Sequence, residues 1–123
     1  MFFAGCGRLF EGTAQQLDRA LYEVLGALPG ATRIYCAHEY TQSNLRFAAS
    51  VDPDNPDLQR IRAEVDRLRA RGESTVPSTL EVERQVNPFL RCDTDAIRRA
   101  TGHGPEAARH EVLGALRRMK DHF

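Results

Sequence analysis

The sequence predicts a mostly helical protein, with an α/β remnant over residues 1–40 and an all-α domain over residues 41–123. Three observations predict it. Apolar residues recur at helical spacing in every long stretch beyond Tyr40. Strand-like runs occur only before that point, at Met1-Phe2-Phe3-Ala4 and from Arg33 to Ala37. Turn and capping residues then punctuate the remainder at short intervals.

In chain order, residues 1–4 read as a strand entered partway, followed by a turn-rich loop bracketed by Gly5, Gly7 and Gly12. Thr13-Ala14-Gln15-Gln16 has the form of a capping box. Leu17, Leu21, Val24, Leu25 and Leu28 then mark one face of an amphipathic helix ended by Pro29-Gly30. Arg33 to Ala37 is predicted as a short strand, so strand, helix and strand would form a βαβ-like unit. Thr41 to Val51 reads as a helix stopped by Asp52-Pro53. Asn55 caps a second helix with Pro56 at its first position, and Leu58, Ile61, Val65 and Leu68 form its apolar stripe up to Gly72. Ser78 with Glu81 is predicted to open a third helix, Asn87-Pro88 breaks the chain, and Asp93 starts another short helix. A last helix begins at Pro105, with Ala108, Val112, Ala115, Leu116 and Met119 facing inward. The change of pattern near Tyr40 is the best domain boundary.

Composition narrows the function classes. Lys and Arg number 17 and so do Asp and Glu, which argues against a general nucleic-acid or membrane-surface binder. No apolar run approaches the ~20 residues of a membrane span. Cys6, Cys36 and Cys92 are odd in number and widely spaced, so neither a disulfide framework nor a zinc knuckle is indicated, and a reducing, cytoplasmic setting is expected. Phe3-Ala4-Gly5-Cys6 has the look of a lipoprotein cleavage box, but no charged or apolar leader region stands before it.

Several residues could carry chemistry. His38 follows the apolar run Ile34-Tyr35, and a strand's carboxyl end is where α/β folds keep metals and substrates. Tyr40, two residues on, offers a phenolic donor. Arg8 follows Gly5-Cys6-Gly7, where small residues let backbone approach a ligand. Arg117, Arg118 and Lys120 crowd the last helix; Arg117 and Lys120 are three apart and share a face, which points Arg118 elsewhere. Each has a bland alternative: a half-buried imidazole, a junction tyrosine, a solvated arginine, or a cationic last turn worth ~0.3–1 kcal/mol against the helix dipole.

Taken together, five blocks resemble the last half of glyoxalase II, the hydroxyacylglutathione hydrolases of the metallo-β-lactamase superfamily. They are Gly-Cys-Gly-Arg-x-Phe-Glu-Gly-Thr (5 to 13), Cys-Ala-His-Glu-Tyr-Thr-x-x-Asn-Leu-Arg-Phe-Ala (36 to 48), Pro-Ser-Thr-Leu-x-x-Glu (77 to 83), Asn-Pro-Phe-Leu-Arg (87 to 91) and the terminal Arg-Arg-x-Lys-Asp-x-Phe. The resemblance implies that residues 1–40 close a metallo-β-lactamase-type αββα domain and that residues 41–123 are its helical substrate-binding domain. It implies hydrolysis of S-(2-hydroxyacyl)glutathione thioesters, such as S-lactoylglutathione, to glutathione and a hydroxy acid, as in methylglyoxal detoxification. It also implies two divalent metal ions, zinc first with iron or manganese as alternatives. His38 would be one ligand, and Arg8, Leu9, Phe10, His38, Glu39, Tyr40, Arg117, Arg118 and Lys120 would bind substrate. Leu9 and Phe10 depart from the family's usual aromatic pair, and Phe10 has no hydroxyl to bond a ligand.

The resemblance also implies a Thr-His-x-His-x-Asp-His loop, a further His and a bridging Asp, none of which the sequence contains. The expectation is therefore a C-terminal portion, a fragment or an alternative start, that lacks the N-terminal half of the metal domain, holds no metal stably by itself and is inactive alone. A non-catalytic helical interaction or glutathione-binding module is the alternative, and a nucleic-acid-binding helical domain a distant third.

Overall fold

The computed structural model describes all 123 residues, Met1–Phe123. Six α-helices dominate: α1 (Ala14–Asp18), α2 (Thr41–Val51), α3 (Pro56–Ala70), α4 (Leu80–Val86), α5 (Asp95–Ala100) and α6 (Arg109–Asp121). Two two-residue strands, β1 (Arg33–Ile34) and β2 (Ser78–Thr79), pair antiparallel, with Arg33 opposite Thr79 and Ile34 opposite Ser78.

The βαβ-like unit does not form. Residues 1–4 are no strand: Phe2 and Gly5 exchange two backbone hydrogen bonds of 2.9 Å across a tight turn, with Ala4 in the left-handed region at φ 57°. The second strand stops at Ile34, short of Ala37, and its partner comes from beyond α3. His38 therefore lies in an irregular link between β1 and α2, exposed rather than half-buried.

Capping chemistry sets the helices where the sequence places them. The capping box at Thr13 is complete: Gln16 N–H donates to the Thr13 hydroxyl, and Thr13 N–H donates to the Gln16 side chain. Asn55 accepts from Asp57 N–H and Leu58 N–H, and Pro56 occupies the first turn of α3. Three boundaries differ. Thr79, not Ser78, caps α4, because the Ser78 hydroxyl is turned inward to Glu83. The short fifth helix starts at Asp95 after Thr94, and α6 starts at Arg109 rather than Pro105.

The helix after Thr13 also changes character. Arg19–Val24 is wound as a π-helix, with Leu25 N–H reaching back to Ala20 O, and Leu25–Ala27 closes as a 3-10 turn. The wider π turn rotates later residues off the α stripe. Leu21 is buried, while Val24 is 61% and Leu28 41% exposed.

Two apolar clusters flank α2. Phe47 and Val51 face one, with Cys6, Leu21, Leu80, Phe89, Ile97, Val112, Leu113 and Leu116. Leu45 and Ala48 face the other, with Phe3, Leu58, Ile61, Val65 and Val86. On α6 the inward residues are Val112, Leu113 and Leu116; Ala108 and Met119 are exposed. Residues before Tyr40 share these cores. Helix α1 packs along α6. There the Arg109 guanidinium grips both oxygens of Asp18 at 2.7 and 2.8 Å and sits 3.8 Å over the Tyr22 ring.

Candidate functional site

A groove of about 670 Å³ opens where the N-terminal turn, the link before α2 and the end of α6 meet. Six of the nine sequence-nominated side chains line it: Arg8, Phe10, His38, Tyr40, Arg117 and Lys120. Phe2, Asn44, Asp121 and Phe123 complete its walls.

The aromatic wall is built by local stacking. His38 and Tyr40 stack with ring centres 4.9 Å apart and 16° between planes, and Phe2 lies tilted against both, 6.2 and 5.3 Å away. The Tyr40 hydroxyl and both His38 ring nitrogens make no hydrogen bond inside the chain, so all three can serve a ligand.

The cationic wall has three members in three different states. Arg117 is buried and largely committed. Its Nη1 donates to the Cys6 carbonyl at 2.7 Å, its Nε and Nη2 reach Asp121 Oδ1 at 3.2 and 3.0 Å, and its guanidinium lies 5.1 Å over the Phe89 ring. Arg8 is well exposed, 3.7 Å from the same Asp121 oxygen. Lys120 pairs with no carboxylate; its ammonium sits between the Phe47 and Phe123 rings at 5.3 and 5.4 Å. Partial burial, then repulsion from Arg117 and Arg46, holds that ammonium below the usual lysine range. An incoming carboxylate relieves that repulsion, which makes Lys120 the groove's strongest claim to an anion.

Three nominated residues point elsewhere. Glu39 accepts from Thr75 N–H at 2.6 Å and from the Thr75 hydroxyl, with Arg69 at 4.0 Å. Burial raises its carboxyl, but those Thr75 bonds, with Thr41 and Arg69, win and hold it below the usual carboxylate range. Arg118 faces a separate hollow beside His103, His110 and Glu106. Leu9 is half-buried and outside the groove lining.

Burial makes Cys6 and Cys92 poor nucleophiles. Burial pushes the Cys6 thiol up and the Cys92 thiol up to about 12, while Cys36 is only partly buried. No three His, Cys, Asp or Glu side chains converge anywhere in the 123 residues. His38 packs among aromatic rings and belongs to no such group of three, so these residues by themselves do not fit a catalytic metal.

Sequence reasoning missed Asp121 and the residues that hold the groove's floor. Asp121 stands four residues after Arg117, the spacing of a helix ion pair, and that was the available signal. The floor is the backbone of Phe3–Cys6, fixed from four sides. Ala4 N–H donates to Glu83 at 3.0 Å; the Phe3, Gly5 and Cys6 carbonyls accept from Asn44, Asn87 and Arg117 at 3.0, 3.1 and 2.7 Å. All four side chains are buried, Glu83 and Asn87 completely.

A groove with a cationic and an aromatic wall, at the seam of a small helical protein, is what the geometry defines. Comparison with known proteins gives it a family. The model described as "Hydroxyacylglutathione hydrolase C-terminus" matches residues 39–123. Over 124 aligned residues the chain is 52% identical to a hydroxyacylglutathione hydrolase of Photobacterium profundum, covering 100% of this chain and 49% of that protein. Proteins of the same description from Maricaulis maris and a Synechococcus species are each 54% identical, with 100% of this chain and 47% of each relative covered. The chain belongs to the hydroxyacylglutathione hydrolase family and corresponds to its C-terminal part; it spans about half the length of these curated relatives.

Proposed function

We propose that the groove binds the glutathione moiety of an S-(2-hydroxyacyl)glutathione, such as S-lactoylglutathione, for an enzyme that hydrolyses the thioester to glutathione and a 2-hydroxy acid. The observation that carries this reading is the unpaired Lys120 ammonium beside Arg8, Arg117 and the free Tyr40 hydroxyl. Glutathione carries two carboxylates and one ammonium, so a cationic wall with a phenolic donor and one carboxylate, Asp121, suits it in charge and sign.

In this reading residues 1–40 are the end of a metallo-β-lactamase-like domain and residues 41–123 the helical substrate-binding domain. The metal pair, zinc or alternatively iron or manganese, would draw on His38 and otherwise on residues outside this chain. Arg8, Tyr40 and Lys120 hold the tripeptide; Arg117 orients Asp121 and the floor; Phe10, half of an aromatic rim, supplies apolar contact only.

The reading is tested by titrating reduced glutathione into the chain and following the Tyr40 and His38 ring signals by NMR. Saturable shifts are expected. Lys120→Ala removes a charge-assisted contact of about 1.5–3 kcal/mol, so affinity falls roughly 10- to 100-fold. Absence of saturable shifts for the unaltered chain, or a Lys120→Ala variant with unaltered affinity, overturns it.

A further inference from the structure

We infer that Glu83 is a positioning residue for the groove, acting through the backbone of Phe3–Cys6 although it touches no ligand. Its ligand arm rests on the glutathione reading above.

Glu83 sits on α4, fully buried, and does not line the groove. Its Oε2 accepts from Ala4 N–H at 3.0 Å and from Asn87 Nδ2 at 2.8 Å, while Oε1 accepts from the Ser78 hydroxyl. Asn87 carries the same restraint onward: its second amide hydrogen goes to the Gly5 carbonyl at 3.1 Å, and its Oδ1 accepts from Phe89 N–H. One carboxylate therefore fixes Ala4 directly and Gly5 through one intermediary.

The restrained segment needs fixing from outside. Ala4 is held at φ 57°, a conformation alanine disfavours. Gly5 is pressed so closely that a Cβ there would lie 2.7 Å from Asn44 Nδ2. A two-residue turn of this kind holds its shape only when its surroundings dictate it.

Both ends of the segment emerge in the groove. Phe2, immediately before it, is the ring against which His38 and Tyr40 pack. Gly7 and Arg8, immediately after it, line the opposite wall. A change in the Ala4 amide's direction would therefore move the aromatic and cationic walls together.

Replacement chemistry separates placement from mere stability. In Glu83→Gln the amide oxygen still serves Ala4 and Asn87, and the new NH₂ donates to the Ser78 hydroxyl, which can accept. In Glu83→Leu the volume is kept, but Ala4 N–H and Asn87 lose their acceptor.

The experiment follows amide hydrogen exchange at Ala4–Arg8 and reduced-glutathione affinity, in the 123-residue chain under conditions where circular dichroism shows each variant folded. Glu83→Gln should keep both within about twofold of the unaltered chain. Glu83→Leu should speed exchange at Ala4–Arg8 by at least about tenfold, leave α3 protection unchanged and weaken glutathione by about tenfold or more. Thr13→Ala, which removes the α1 cap and lies outside both the groove lining and the segment's hydrogen bonds, should lower stability yet leave affinity untouched. If Glu83→Leu does not fold, Ser78→Ala decides, with a smaller rise in exchange expected at Ala4–Arg8 and none elsewhere. Unchanged exchange at Ala4–Arg8 in the folded variant, or an equal affinity loss in Thr13→Ala, overturns the inference. If the unaltered chain binds no glutathione, the groove reading fails by itself, and the exchange data still judge the placement role.

Discussion

At the scale of single residues, burial decides which polar groups are structural and which are available. Glu83 and Lys120 show the two outcomes. Burial pushes the Glu83 carboxyl above the usual carboxylate range, against the bonds from Ser78, Asn87 and Ala4 that favour its charge. A carboxyl whose folded pKa is raised adds stability that is complete below its unfolded value, about 4.5. That contribution is lost as pH rises through the folded value. The unaltered chain should therefore lose stability on going from about pH 4.5 towards neutrality in a way that Glu83→Gln does not. Urea midpoints across that range check it: the curves converge at low pH and diverge at high pH, with Glu83→Gln the more stable. Parallel curves would mean that the buried carboxylate is fully compensated by its three donors. Lys120 is the opposite case, a cation kept between two rings with no partner, and its ammonium is consequently available to a ligand.

At the scale of elements, local chemistry was legible and long-range chemistry was not. The Thr13 capping box and the Asn55-Pro56 start can be read from four residues each, because cap, backbone and partner all lie within one turn. Thr13→Ala should accordingly cost about 1 kcal/mol in global stability, measurable as a lower urea midpoint. The cost should be global because Asp18 and Tyr22, in the same segment, are locked to Arg109 at the start of α6. A midpoint that stays put would show instead that the 13–27 segment frays independently. What the sequence hides is the π-helix over Arg19–Val24, since spacings of four, seven, eight and eleven fit a regular α-helix equally well. It equally hides the turn at Phe2–Gly5. Phe-Phe-Ala reads as a strand, and its actual shape is imposed by side chains from positions 44, 83, 87 and 117. The inward-turned Ser78 belongs with these, for a capping serine and a buried donor look alike in sequence.

At the scale of the whole molecule, the groove is assembled from residues as far apart as Phe2 and Phe123, yet six of its 13 lining residues are nominated by the sequence alone. Glu39 and Arg118 were carried along by adjacency: neighbours of His38 and Arg117 in sequence, they face the Thr75 loop and another hollow. The same assembly separates binding from chemistry. The cations, the phenol and the aromatic wall are present together, whereas His38 belongs to no cluster of three metal-ligating side chains. A catalytic zinc site takes three protein ligands and an open position, so one imidazole cannot supply the centre that thioester hydrolysis in this family is proposed to use. The 123-residue chain should therefore bind reduced glutathione while showing no S-lactoylglutathione hydrolysis with added zinc, iron or manganese above that of its His38→Ala variant. Metal-dependent turnover well above that variant would mean that the chain builds a ligand set in solution, for instance by pairing two copies. Exposed apolar surface before Tyr40 bears on that outcome: Phe10 is 85%, Tyr35 69% and Val24 61% exposed. Measuring turnover across a range of chain concentrations distinguishes the cases: a rate per chain that climbs with concentration belongs to an assembly, and a flat background belongs to a groove that binds and does not cut.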